Sequence, residues 1–295
     1  MRIRTFIIAA VIGCTGALPA LAQNRLESDT ALASMVAAER AFARHSLDAG
    51  TQAAFLRFMA EDGVIYRPLA VKAHVWLAAR PMPAHLALVW EPVFADASAA
   101  GDFGYTTGPW IATSRAGDAD PTFGEYVTIW RRQDDGAWKA ELDAGIAHGP
   151  DPVGPAPIVA APAPAWQRSG AQAGNALASL MSADSTLAAA AAAEGAAPAF
   201  RQRAARNMRL LRNGRFPLTA DSANAFLRAT PGYTWKAAAG KVSSSGDMGY
   251  TFGPYVLLTE RGGRTASERG DFVRIWRRDR DGEWRVALDL TSPRQ

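Results

Sequence analysis

The chain has 295 residues but one cysteine, Cys14, and four histidines, His45, His74, His85 and His148, all in its first half. A lone cysteine excludes a disulfide framework. Its place inside an N-terminal leader leaves the mature chain without a thiolate nucleophile or a cysteine metal site. The histidines lack the spacing of metal ligands, so no metal is expected. Also absent are a GxSxG elbow, a Walker phosphate loop and a dinucleotide glycine fingerprint after a strand. No cofactor is expected. Beyond residues 1–22, no run is expected to be apolar enough to cross a bilayer.

Those first 22 residues read as a secretory signal peptide. Arg2 and Arg4 form a basic start, residues 6–12 an apolar stretch, and Ala20, Leu21 and Ala22 a small-residue cleavage site. The expected location is periplasmic or secreted. A competing reading takes Val11, Ile12, Gly13 and Cys14 as a lipobox that would leave Cys14 lipidated. Charge divides unevenly over the remainder. Residues 23–163 hold 11 basic and 17 acidic side chains, a net of −6, and residues 164–295 hold 19 and 11, a net of +8. Mutual attraction of the two halves explains this. An anionic partner for the second half is the sharper alternative, because Arg201, Arg203, Arg206, Arg209, Arg212 and Arg215 crowd one segment. Nucleic acid is not an expected partner of an exported protein.

What is abundant is repetition. Residues 102–109 (DFGYTTGP) return as 247–254 (DMGYTFGP) with six identities in eight, and residues 126–143 return as 272–289 with ten in eighteen. The offset is 145 residues for the first pair and 146 for the second. The chain is one domain written twice. A proline- and alanine-rich stretch, 149–165, reads as an extended linker between copies at 24–148 and 166–295. In the first copy, Asp29 caps a helical pattern that puts Leu32, Met35, Phe42 and Ser46 on one face with Glu39. The second repeats it with Leu177, Leu180, Asp184 and Leu187. A short helix is expected near 51–60, a strand at 64–67 and a small helix about His74 and Trp76. Strands follow at 86–97, 103–114, 123–132 and 138–146, the last two joined by an Asp-Gly hairpin with a type I′ turn. Helices before a curling antiparallel sheet predict an α+β fold: two tandem cone-shaped domains, each with N-terminal helices packed on a curved sheet.

The run WEPVFADASAAGDFGYTTGPW (90–110) followed by YVTIWRRQDDGAWKAELDAG (126–145) resembles the DUF-4440 type of domain in the nuclear transport factor 2-like (SnoaL-like) superfamily. The resemblance covers the first copy, and the second from Trp235 onward. It implies a cone with a pocket between helices and sheet. The superfamily includes isomerases, cyclases and dehydratases beside non-catalytic binders, and the DUF-4440 branch brings no activity to transfer.

Candidate chemistry falls into three groups. Glu39 sits on an apolar helix face, where an unpaired carboxylate is costly. It is expected either to pair with Arg67, as Asp184 would with Arg212, or to act as a general base. Asp143, at the end of the last strand, is a second acid/base candidate, expected by alternation on the face away from Trp138 and Leu142. Asp62 and Tyr66 have no ionisable counterpart in the second copy, which has Asn207 and Leu211. With Arg67 and Trp110 they are the expected ligand-binding set. Arg201, Arg206 and Arg209 are the candidates for an anionic partner. Asp102, Phe103 and Gly104, with Gly108 and Pro109, read as turn and bulge residues serving the fold. The first reading is therefore a binder of a small molecule or protein whose halves pair as an intramolecular pseudo-dimer. An enzyme using Glu39 or Asp143, with Tyr66 as hydrogen-bond donor, and a scaffold on an anionic surface are the alternatives.

Overall fold

The computed structural model describes residues 29–83, 85–151, 156–163, 175–261 and 263–294. The expected leader and Cys14 lie outside them, as does part of the expected linker. Asp29 accepts the Leu32 N–H at 3.0 Å and caps α1 (Thr30–Ala49). Gly50, at φ 95°, then breaks the helix and starts α2 (Thr51–Phe58), a reversal that only glycine makes without strain. There follow β1 (Met59–Tyr66), β2 (Ala70–Lys72) and α3 (Ala73–Ala79). The sheet continues with β3 (Leu86–Trp90), β4 (Phe94–Ala97), β5 (Phe103–Ser114), β6 (Thr122–Arg132) and β7 (Trp138–His148). Its hydrogen-bonded order is β2-β1-β7-β6-β5-β4, with β3 also on β5. All these pairs are antiparallel except β1 with β7.

The expected single strand at 86–97 is two. At its break, Glu91 approaches β5 so closely that a Cβ on Gly108 would stand 2.1 Å from the Glu91 carbonyl. Gly104 and Gly108 thus serve close approach rather than positive φ. The hairpin after β6 also differs from expectation. Gly136 has φ 84° but Asp135 has no positive φ, so the turn is not type I′.

Instead of only linking, residues 156–163 join the first sheet. β8 (Val159–Ala160) runs parallel to β4, and Pro162 accepts a hydrogen bond from Arg277 at 2.8 Å. The second half repeats the plan with α4 (Ala176–Glu194), α5 (Ala196–Arg203), β9 (Ala204–Arg212), β10 (Leu218–Thr219) and α6 (Ala220–Arg228), then β11 (Gly232–Trp235), β12 (Ala239–Val242), β13 (Met248–Arg261), β14 (Arg264–Arg278) and β15 (Trp284–Pro293). Its order, β10-β9-β15-β14-β13-β11, mirrors the first sheet. The fold is two tandem α+β cones, helices against curved, mostly antiparallel sheets. In α4 the buried stripe is Ala176, Leu180, Asp184, Leu187 and Ala191, and Leu177 is exposed, one position off the expected face. By length and composition alone this helix could cross a membrane. It lies instead on the second sheet, with Asp184 held inside by an ion pair.

Each cone has its own core between helices and sheet, and a third buried cluster draws from both sheets. There Phe103 stacks on Tyr250, centroids 6.1 Å apart and planes 7° apart. Polar contacts across this face come in exchanged pairs. Asp247 Oδ2 accepts the Ala99 N–H at 3.0 Å, and Asp102 Oδ2 accepts the Ser244 N–H at 2.9 Å. Ala99 and Ser244 are themselves repeat counterparts, as are Asp102 and Asp247. The aspartate that opens the shared DxGYTxGP motif is thus a contact between the halves, which the sequence reading took for a turn residue.

Candidate functional site

Two β-bulges decide which way the acids point. On β7 the register with β6 slips between Ile129 and Trp130, so that Leu142 and Ala140 face consecutive partners and Glu141 is the extra residue. A bulge shifts every later side chain to the opposite face. Ala140 packs in the helix-side core, Leu142 in the cluster between the halves, and Asp143 turns back under the helices. This corrects the expected alternation. The second half has the same slip, between Ile275 and Trp276, and it turns Asp289 inward.

In the first half Asp143 opens onto a cavity of about 260 Å³ between helices and sheet. Phe55, Trp90, Trp110 and Tyr126 supply aromatic walls, and Arg67 and Asp143 supply charge. Thr128 donates to Asp143 at 3.1 Å. Among the described residues Asp143 forms no ion pair within 4.0 Å. Burial pushes its carboxyl up from the usual range, and the field of Arg67 and the Thr128 hydroxyl only partly offset this. Among the described residues the buried Tyr126 hydroxyl has no hydrogen-bond partner. Gly124 and Gly145 make room for the Trp110 ring. A Cβ on Gly124 would come within 2.4 Å of it.

Glu39 lies behind this pocket, not in its lining. It does not meet Arg67, contrary to the expected pair. Trp90 Nε1 donates to it at 2.6 Å, Thr106 Oγ1 at 2.5 Å and Trp130 Nε1 at 2.9 Å. Burial raises its carboxyl to about 7, against the pull of these three donors, and the Asp143 charge adds to the rise. Indole N–H groups give a buried carboxylate donors without a second charge, which is why no arginine is needed. Neighbouring α1 and sheet positions encoded this cage, but pairing by sequence offset alone could not find it.

The second half holds the same acids in a different network. Asp184 keeps the counterparts of two donors, Trp235 Nε1 at 2.9 Å and Thr251 Oγ1 at 2.9 Å. Its third partner is Arg274, also at 2.9 Å. Arg274 replaces Thr128 and continues to Asp289 at 2.6 Å. Arg212 closes on Asp289 from the other side, and the Tyr233 hydroxyl donates to it at 3.2 Å. Asp184 therefore pairs with Arg274, not Arg212. Burial raises the Asp289 carboxyl, but Arg274 and Arg212 outweigh it and hold the group below its usual range. Arg274 and Asp289 are both 0% exposed. Where the first half has Leu88, Ala112, Thr128 and Gly145, the second has Tyr233, Leu257, Arg274 and Thr291, each larger and each buried.

Of the other sequence candidates, Arg67 and Trp110 reach the pocket with Asp143. Asp62 and Tyr66 do not line it. Asp62 is exposed and pairs with Lys241 at 3.3 Å, which holds its carboxyl low once the opposing effect of burial is overcome. The Tyr66 hydroxyl donates to the Phe272 carbonyl at 3.1 Å, across the contact between the halves. Arg201 and Arg206 are exposed. Arg209 sits 4.7 Å from the Phe94 ring centroid and counters Glu125, whose carboxyl burial raises to about 7. Sequence reasoning missed Thr128, Tyr126 and Leu88. The comparison Thr128/Arg274 was legible as an unshared pair, had the repeat been read for bulk as well as for charge.

Solved structures resemble single halves of this chain. A ketosteroid isomerase-like protein from Erwinia carotovora atroseptica is 19% identical over 41% of this chain and 99% of its own, with a TM-score of 0.34. A nuclear transport factor 2-like protein of unknown function from Shewanella oneidensis is 11% identical over 38% and 96%, with a TM-score of 0.31. A nuclear transport factor 2-like superfamily protein from Salmonella enterica is 11% identical over 43% and 97%, with a TM-score of 0.34. The likeness is to the nuclear transport factor 2-like fold. No family model matches the chain, and no curated protein does.

Proposed function

We propose that this is an exported small-molecule binder with one working pocket, in the first half, and one sealed pocket, in the second. The observation that carries the reading is the replacement of Thr128 by Arg274. The same cone is open to a ligand in one copy and filled by a buried guanidinium in the other. Pockets that bind small molecules are concave and mostly apolar with a few convergent polar groups, and the Phe55–Trp90–Trp110 cavity with Arg67, Asp143 and Tyr126 has that composition. The exchanged Asp102 and Asp247 contacts support an intramolecular pseudo-dimer, since reciprocal contacts mark a two-fold relation. In it the sealed half serves as a fixed partner. Export rests on the leader at residues 1–22. The test is native mass spectrometry of protein purified from its own host. A co-purifying small molecule is expected, and it should be lost from a Leu88→Tyr, Ala112→Leu variant that copies the second half's bulk. A wild-type mass equal to the bare chain, together with no binding from a library of small apolar acids, alcohols and amines, would sink the reading.

A second reading has its own observation. Asp143 is a carboxylate made more basic by burial and facing an open cavity, a change and a position that suit a general base. On this reading Asp143 takes a proton from a bound ligand and the unpartnered Tyr126 hydroxyl donates to the oxygen that gains charge. Asp143→Asn would then abolish turnover of any identified ligand while leaving its binding within a few-fold. Unchanged turnover excludes this role.

A further inference from the structure

Arg67 stands where two cavities meet. It lines both the pocket of about 260 Å³ and a more open groove of about 440 Å³, and Trp110 and Gly145 are also common to the two. The groove takes residues from both halves: Pro68 and Trp76 from the first, and Asn213 and Pro293 from the second. A guanidinium carries five N–H donors. In Arg67, Nη1 donates to the Tyr66 carbonyl at 2.7 Å and the cation lies 5.5 Å from the Phe55 ring centroid. Among the described residues it forms no ion pair.

The second half shows which partner this guanidinium takes. Its counterpart Arg212 keeps the equivalent contact, Nη1 to the Leu211 carbonyl at 3.0 Å, and closes on the Asp289 carboxylate. In the first half the matching Asp143 stays beyond pairing distance, so the carboxylate-binding fork of Arg67 is left open at the mouth of an aromatic pocket. Planar guanidinium and carboxylate groups match in charge and geometry, and such bonds are the strong ones.

Resting on the pocket being a ligand site, we infer that its ligand is an elongated amphipathic monocarboxylate. The apolar body lies between Phe55, Trp90 and Trp110, the carboxylate sits on Arg67, and further chain leaves along the groove past Asn213. One cation faces one acid across the pocket wall, which suits a single negative charge better than a phosphate.

The test is calorimetric titration of the full mature chain with 4-phenylbutyrate, 4-phenylbutanol and 4-phenylbutylamine. The acid is expected to bind about 10- to 100-fold tighter than the alcohol, the span of a hydrogen bond to a charged group, and the amine weakest. Arg67→Gln, with an unchanged far-ultraviolet circular dichroism spectrum reporting that the variant is folded, should erase the preference for the acid. Arg67→Lys should restore part of it. If the alcohol or amine binds as tightly as the acid, and Leu88→Tyr abolishes that binding, the carboxylate class is overturned and the pocket reading stands. If none of the three binds, both fall. For the groove, Asn213→Ala should weaken 8-phenyloctanoate more than 4-phenylbutyrate, and an equal effect on both overturns that part.

Discussion

Thr128 and Arg274 hold the same position on the same strand of two copies of one domain, and around them the copies have solved one problem in opposite ways. The problem is a pair of acids buried by the fold itself, Glu39 with Asp143 and Asp184 with Asp289. Among the described residues the first half gives them no cation within pairing distance, but a cage of neutral donors, with carboxyls pushed up by burial. The second half inserts Arg274 between them and adds Arg212, so that Asp289 stays ionised. Inserting arginine costs desolvation of another charge, which its two ion pairs offset. It also fills the space a ligand would use. Openness and charge neutralisation exclude one another in a cavity this small.

The largest expected effect comes from undoing the second solution. Arg274→Met leaves buried Asp184 without its ion pair and Asp289 with Arg212 alone, and should lower unfolding free energy by about 3–5 kcal/mol in chemical denaturation. Thr128→Ala, the matching change in the first half, should cost about 1 kcal/mol, the worth of one hydrogen bond. Similar losses from the two would dissolve the contrast.

The halves should also respond to pH with opposite sign. A carboxyl whose folded value is raised holds its proton in the folded state where the unfolded chain has lost it. Its stabilisation is therefore full below the unfolded value and lost as pH rises through the folded one. For Glu39 that window runs from 4.5 to about 7 and spans about 3 kcal/mol. Asp289, held low, contributes stability above its unfolded value, which is lost as pH falls through its folded one. In urea titrations across this range, Glu39→Gln should flatten the decline between pH 4.5 and 7. An unchanged slope would show that Glu39 is already ionised there.

Copying the plug should close the pocket. Leu88→Tyr with Ala112→Leu is expected to weaken 4-phenylbutyrate binding at least tenfold while moving the thermal midpoint by only a few degrees. Undiminished binding would place the ligand elsewhere. Modest effects belong to the exchanged contacts. Asp102→Ala and Asp247→Ala each remove a counterpart of the same backbone hydrogen bond and should each cost about 1–2 kcal/mol in chemical denaturation, Asp247 the more because it is fully buried and also accepts from Ser243 and Ser245. No loss from either would break the proposed two-fold relation.

Much of this fold was legible. Strand β5 runs over the residues expected for it, Asp29 caps the helix it was expected to cap, and the repeat dictated two cones. The site was less so. Arg67, Trp110 and Asp143 were singled out and do meet, but Tyr66 and Asp62 were chosen for being unshared and are used at the contact between the halves. An unshared residue marks any task that differs between copies, and facing the other half is one such task.

By itself the sequence determined the cone, its duplication and the burial of Glu39 and Asp184, because periodicity, capping and repetition are local patterns that survive in one dimension. The tertiary structure alone decided that Asp143 faces the pocket, since one bulge at Glu141 reverses the side-chain alternation and leaves no trace in residue type. It alone decided that one pocket is open and the other shut. That outcome depends on the volumes and charges of residues from four strands meeting at one point, a sum that no single stretch of chain contains.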